Sequence, residues 1–127
     1  MSSAPLRALV VDDSRVFRAF VEHHVAARAG LTVVGSEFDA ARALERIERG
    51  GIDVVLLDCN MPRMDGPEFL RALAQPPFGR APAARPLVIA MSGAARGADE
   101  LAGQVLTLGA RGFVAKPEDG EHEQFAA

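Results

Sequence analysis

The sequence predicts a doubly wound α/β sandwich: a parallel sheet of about five strands with helices packed on both faces. Three observations lead there. Five short apolar runs recur along the chain, four of them followed by a turn and a helical pattern, and that alternation implies parallel crossovers. The runs are apolar throughout rather than alternating, as suits strands covered on both sides. Finally, 127 residues with 49% hydrophobic and 24% charged side chains make one compact domain with its own core, set here at 1–127.

The elements follow in order. Residues 6–11, LRALVV, form the first strand and run into Asp12-Asp13. Ser14 can cap a first helix whose Val16, Phe17, Phe20, Val21 and Val25 make one apolar stripe, with Gly30 as its stop. LTVVG (31–35) is the second strand, and Asp39 can cap a second helix that buries Ala40, Leu44 and Ile47 and stops at Gly50-Gly51. DVVLL (53–57) is the third strand, and Pro67 suits the first turn of a third helix carrying Phe69, Leu70 and Leu73. PLVIAM (86–91) is the fourth, followed by a helix with Leu101, Val105 and Leu108 that ends at Gly109; GFVA (112–115) is the fifth strand. The connection 75–86 is long and rich in Pro, Ala and Arg, and reads as an insertion at the end of the sheet away from any ligand crevice. The core spans about 6–117, and 118–127 is a weak, short or frayed fifth helix or tail.

Composition narrows the function. Net charge is −3 and the 14 basic residues are scattered, which disfavours a nucleic-acid partner. Thirteen of the 14 are Arg; Lys116 is the only lysine. A lone Cys59 excludes an internal disulfide and fits a reducing compartment. The first apolar run is too short for a signal peptide and no stretch is long enough to span a membrane, so a cytoplasmic protein is expected.

Ligands of open α/β sheets bind at the carboxyl ends of the strands. Asp12 and Asp13 end strand one, Asp58 strand three, Ser92 strand four and Lys116 strand five. Three converging carboxylates repel one another unless a cation intervenes, and oxygen ligands with room for water suit Mg²⁺. A carboxylate freed to act can take a phosphoryl group as an aspartyl-phosphate, given a metal, a cation and a hydroxyl to neutralise the oxygens. Asp58 as acceptor, Mg²⁺ on Asp13 and Asp58, Lys116 and Ser92 supply that set, with Gly93 and Ala94 leaving space beside Ser92.

The motifs VVDDS (10–14), LLDCNMPRMDG (56–66), AMSGA (90–94) and GFVAKP (112–117), in this order and spacing, resemble the response-regulator receiver domain of two-component signalling, and in particular its chemotaxis-type members. The resemblance covers residues 6 to 117. It implies the flavodoxin-like sheet with strand order 2-1-3-4-5. It implies a histidine kinase as phosphodonor, Asp58 as the phosphorylated residue, and Mg²⁺ bound by Asp13 directly, by Asp12 through water, by Asp58, and by the backbone carbonyl of Asn60. Ser92 and Phe113 take the switch positions, Lys116 pairs with the phosphoryl group, and the Lys116-Pro117 bond is expected to be cis. The output partner is a protein docking on the face of the fourth helix, fifth strand and fifth helix, and the weak last helix leaves homodimer formation open. Such a domain is a signalling module, not an enzyme beyond its own phosphorylation and dephosphorylation.

Two other classes compete. A phosphorylation-independent interaction module would keep the fold while ignoring phosphate, against which the intact acidic set and Lys116 argue. A phosphatase with an Asp nucleophile usually carries a second acid two residues on, where this chain has Asn60. Singly, each residue also has a plainer reading: Asp58 as a strand cap, Asp12 and Asp13 as helix caps, Ser92 as an ordinary post-strand serine, Phe113 as a core aromatic. Cys59 reads as a small buried thiol, and of His23 and His24 one is expected to face solvent and the other to line the stripe.

Overall fold

The computed structural model describes residues 5–25, 30–61, 63–75, 85–93 and 97–116. The expectations for Ala94, for the bond to Pro117, for most of the 75–86 connection, for the tail after Lys116, and for the side chains of His24 and Val25 lie outside these residues.

Five strands, β1 (Leu6–Val11), β2 (Leu31–Glu37), β3 (Val54–Asp58), β4 (Leu87–Ser92) and β5 (Gly112–Ala115), form one sheet in the order β2-β1-β3-β4-β5. Every pairing is parallel. The helices are α1 (Arg15–Phe20), continued by a π-helical turn over Val21–Val25, then α2 (Ala40–Glu48), α3 (Gly66–Leu73) and α4 (Ala98–Thr107).

Successive strand residues point to opposite faces, and the two faces carry separate cores. Val10, Val54, Leu56 and Met91 pack on one side against Phe17, Phe20 and Val21 of the first helix. Leu9, Val11, Val55, Leu57, Val88 and Ala90 pack on the other against α2, α3 and Val105 of α4. β3 is buried along its whole length, which is why its sequence shows no polar alternation.

Local chemistry explains the helix starts. Ser14 Oγ accepts from Phe17 N–H at 3.1 Å, and Asp39 accepts from Ala41 at 2.8 Å and Arg42 at 3.3 Å. Asp65 and Glu68 form a reciprocal capping box around Pro67.

Three expectations change. Val16 is 67% exposed: the buried stripe of the first helix is Phe17, Phe20 and Val21, and Val16 sits about 90° round the helix from the centre of that stripe, at its outer edge. Ala43 rather than Leu44 is the fully buried residue at the centre of α2; Leu44 is half-buried at the margin. Strand β2 runs past the expected 31–35 to Glu37, and β3 and β4 each lie one residue later than the expected 53–57 and 86–91, so that Asp58 and Ser92 are the last residues inside their strands.

Candidate functional site

The sheet delivers the polar residues to one end. In register, Val11 lies beside Leu57, Asp58 beside Met91, and Ser92 beside Ala115, so the residues at or just past those positions share one crevice. Backbone bonds extend the ladder into it: Asp12 N–H donates to the Glu37 carbonyl at 3.0 Å, Cys59 N–H to that of Met91 at 2.8 Å, and Lys116 N–H to that of Ser92 at 2.9 Å.

Asp12 has no exposure and Asp58 only 4%. One oxygen of Asp12 accepts from Ser14 N–H at 2.8 Å and the other from the Lys116 ammonium at 2.8 Å. The same ammonium stands 3.7 Å from Asp58 Oδ2, and Asp58 Oδ1 accepts from Asn60 N–H at 3.0 Å. Asp13 is exposed, yet it can place a carboxylate oxygen with those of Asp12 and Asp58 so that all three lie within 4.8 Å of one another. The Ser92 hydroxyl donates to Asn60 Oδ1 at 2.7 Å, which ties the end of β4 to the turn after β3. Phe113 is half-buried against the larger core and pairs with Ala90, two residues before the strand end that carries Ser92. Thus Asp12, Asp13, Asp58, Asn60, Ser92 and Lys116 come together, and Phe113 flanks them on β5.

Electrostatics follow from burial. Removal from water is the main cause holding the Asp58 carboxyl above its ordinary range; Asp12 and Asp13 add to this, while the Asn60 N–H and Lys116 oppose it. An added cation would favour the ionised form that can act as a nucleophile. The donor set fits Mg²⁺: three hard carboxylates, one of them open to solvent, and no His among the clustered ligands. Cys59 is buried, and burial together with the Asp58 charge pushes its thiol up to about 11, so it is no nucleophile.

Two contacts were not foreseen from sequence. The Lys116 ammonium lies 4.5 Å from the centroid of the Phe17 ring, and Arg18 Nη1 donates to the Asp12 carbonyl at 2.6 Å. Phe17 belongs to a helical apolar stripe, and nothing in that periodicity separates a core aromatic from one that faces an ammonium.

Residues 8–124 match the family described as the response regulator receiver domain. The chain belongs to that family. Receivers are the phospho-acceptor signalling modules of two-component and chemotaxis systems, and they generally bind Mg²⁺ at an acidic pocket. This receiver is 44% identical over 120 residues to a protein-glutamate methylesterase/protein-glutamine glutaminase of Anaeromyxobacter dehalogenans, covering 94% of this chain and 31% of that protein. It therefore spans about a third of the length of the curated relatives it matches. Among solved structures it superposes on the response regulator domain of Thermotoga maritima CheB with a TM-score of 0.75 at 27% identity, covering 95% of this chain and 87% of that one. It is also similar to CheY6 of R. sphaeroides, solved in complex with the P1 domain of CheA3, with a TM-score of 0.71 at 28% identity over 97% of this chain and 93% of that one. Among the described residues, no helix is long and apolar enough to cross a membrane.

Proposed function

We propose that Asp58 of this receiver accepts a phosphoryl group from a phosphohistidine of a kinase, and that the resulting aspartyl-phosphate changes the surface offered to a protein partner. The observation that carries this reading is a buried carboxylate at the end of the central strand, 3.7 Å from the chain's only lysine and clustered with two further carboxylates. Burying a carboxylate costs stability that pairing only partly offsets, and such strained ionisable clusters concentrate at functional sites.

The chemistry is an in-line displacement. An Asp58 carboxylate oxygen forms the new O–P bond as the donor's P–N bond breaks, and the imidazole leaves with the electron pair. Asp13, Asp58, the Asn60 carbonyl and, through water, Asp12 would hold Mg²⁺, which when bound supplies positive charge against the carboxylates and the phosphoryl oxygens. Lys116 already lies between Asp12 and Asp58 and needs only a small movement to pair with a phosphoryl oxygen. Ser92 gives up its bond to Asn60 and turns its hydroxyl to another. Drawing Ser92 inward opens space into which Phe113 rotates, which remodels the face of α4 and β5 where the partner docks. Attack by water on phosphorus then breaks the Asp58 O–P bond and resets the switch.

The receiver acts as a switch that turns over only its own phosphoryl group. The complex of CheY6 with a CheA3 P1 domain favours a kinase phosphotransfer domain as its donor. Incubation with acetyl phosphate and Mg²⁺ tests the assignment. A phosphoryl mass gain mapping to the peptide that contains Asp58 is expected, and it is lost in Asp58→Asn. Equal labelling of Asp58→Asn overturns the assignment of the acceptor. Equal partner affinity with and without phosphodonor favours the phosphorylation-independent module instead.

A further inference from the structure

We propose that Phe17 is a positioning residue for this phosphorylation: its ring seats the Lys116 ammonium between Asp12 and Asp58. The proposal rests on the reading of Lys116 as the cation that meets the phosphoryl group.

The ammonium lies 4.5 Å from the Phe17 ring centroid, inside the range of about 6 Å over which an aromatic face attracts a cation. The Lys116 side chain is only 15% exposed, so it has lost most of its water, and desolvation strengthens this attraction. An ammonium has three donors. One is met by Asp12 Oδ2 at 2.8 Å, Asp58 Oδ2 stands 3.7 Å off as an ion-pair partner, and the ring face covers a further side.

Phe17 is itself held firmly. It is 3% exposed, its N–H donates to Ser14 Oγ at 3.1 Å, and its ring packs on Phe20 with centroids 5.9 Å apart. On either side of it in sequence, Ser14 N–H binds the Asp12 carboxylate at 2.8 Å and Arg18 binds the Asp12 carbonyl at 2.6 Å. The first turn of α1 therefore grips Asp12 twice, while Phe17 faces the lysine that Asp12 holds. The ring attracts the ammonium without competing as a full negative charge. The lysine is kept in place yet remains able to move to an incoming phosphoryl oxygen, which another carboxylate in the position of the ring would hinder.

Lys116 is the only lysine, so lysine-selective ¹³C labelling yields a single side-chain signal, readable without metal or phosphodonor. Expected in the wild type is an upfield ring-current shift of the Lys116 Hε protons, lost in Phe17→Leu and Phe17→Met. Acetyl phosphate labelling of Asp58 at saturating Mg²⁺ should slow roughly two- to thirty-fold in both variants, the range of a cation–π contact between exposed and desolvated sites. Phe69→Leu, a buried aromatic of the opposite core, controls for lost packing and should leave both the lysine shift and the rate within about twofold of wild type. The proposal is overturned if wild-type Lys116 shows no ring-current shift, if the Phe17 variants label as fast as wild type, or if Phe69→Leu slows labelling equally. A wild-type protein that shows the shift but takes no label on Asp58 overturns the phospho-acceptor reading instead, and with it the reaction Phe17 would serve.

Discussion

Replacing Lys116 with Met keeps most of the aliphatic stem and removes the ammonium that lies 2.8 Å from Asp12 and 3.7 Å from Asp58. At an effective dielectric of about 20, unit charges at those separations attract by about 6 and about 4.5 kcal/mol. Delocalisation over the carboxylates and the lysine's own desolvation offset much of this. What remains is the cost of leaving buried carboxylates without their cation, about 3–5 kcal/mol. For 127 residues with an unfolding entropy of about 2.1 cal/mol/K each, the melting temperature should fall by about 10–20 °C. Urea and thermal unfolding at pH 7 in the presence of a chelator measure it. In the double variant Asp12→Asn/Lys116→Met the loss should shrink, because one of the stranded charges is gone, and added Mg²⁺ should stabilise Lys116→Met more than wild type. A loss under about 1 kcal/mol, or strict additivity of the two substitutions, refutes the claim that Lys116 neutralises the buried pair.

Two further outcomes follow from the same geometry. Burial, with Asp12 and Asp13 adding, raises the Asp58 carboxyl above its ordinary value, so the folded protein holds this proton more tightly than the unfolded chain. Stability due to this group is then full below the unfolded value and is lost as pH rises through the folded one. Asp58→Asn should therefore raise the melting temperature at pH 7 without divalent cations, and the gain should fade on acidification; an unchanged or lower value at pH 7 refutes the sign. Gly66 is a matter of space: a Cβ there would stand 2.9 Å from Cys59 Cβ and 3.2 Å from Cys59 Cα. Gly66→Ala should cost about 1–3 kcal/mol, read as a melting temperature about 4–11 °C lower, and a shift under about 1 °C would contradict the close approach.

Much of this molecule was legible along the chain. Strand β3 is apolar throughout because both of its faces are covered, and that condition is written in VVLL. The caps at Ser14 and Asp39 were readable because the bonded atoms lie within three residues of each other. Asp12, Asp13, Asp58, Ser92 and Lys116 could be grouped because each lies at or just past the carboxyl end of a strand of one parallel sheet. The exposure of Val16 was less legible, since apolar character alone does not state which of two adjacent residues faces the sheet. Nor does any periodicity announce the π-helical turn at Val21–Val25.

By itself, the sequence determined the layers, the parallel sheet and the inventory of chemical groups at one of its ends, because periodicity and turn chemistry act over a few residues. Only the tertiary structure decided how those groups share one another. It gives the Asp12 carboxylate both Ser14 N–H and the Lys116 ammonium, leaves Lys116 closer to Asp12 than to Asp58, ties Ser92 to Asn60 and lays the ammonium over Phe17. Those assignments depend on distances of a few ångströms between side chains on different strands and helices. Such distances are set when both faces of the sheet are packed at once, and no local stretch of sequence carries them.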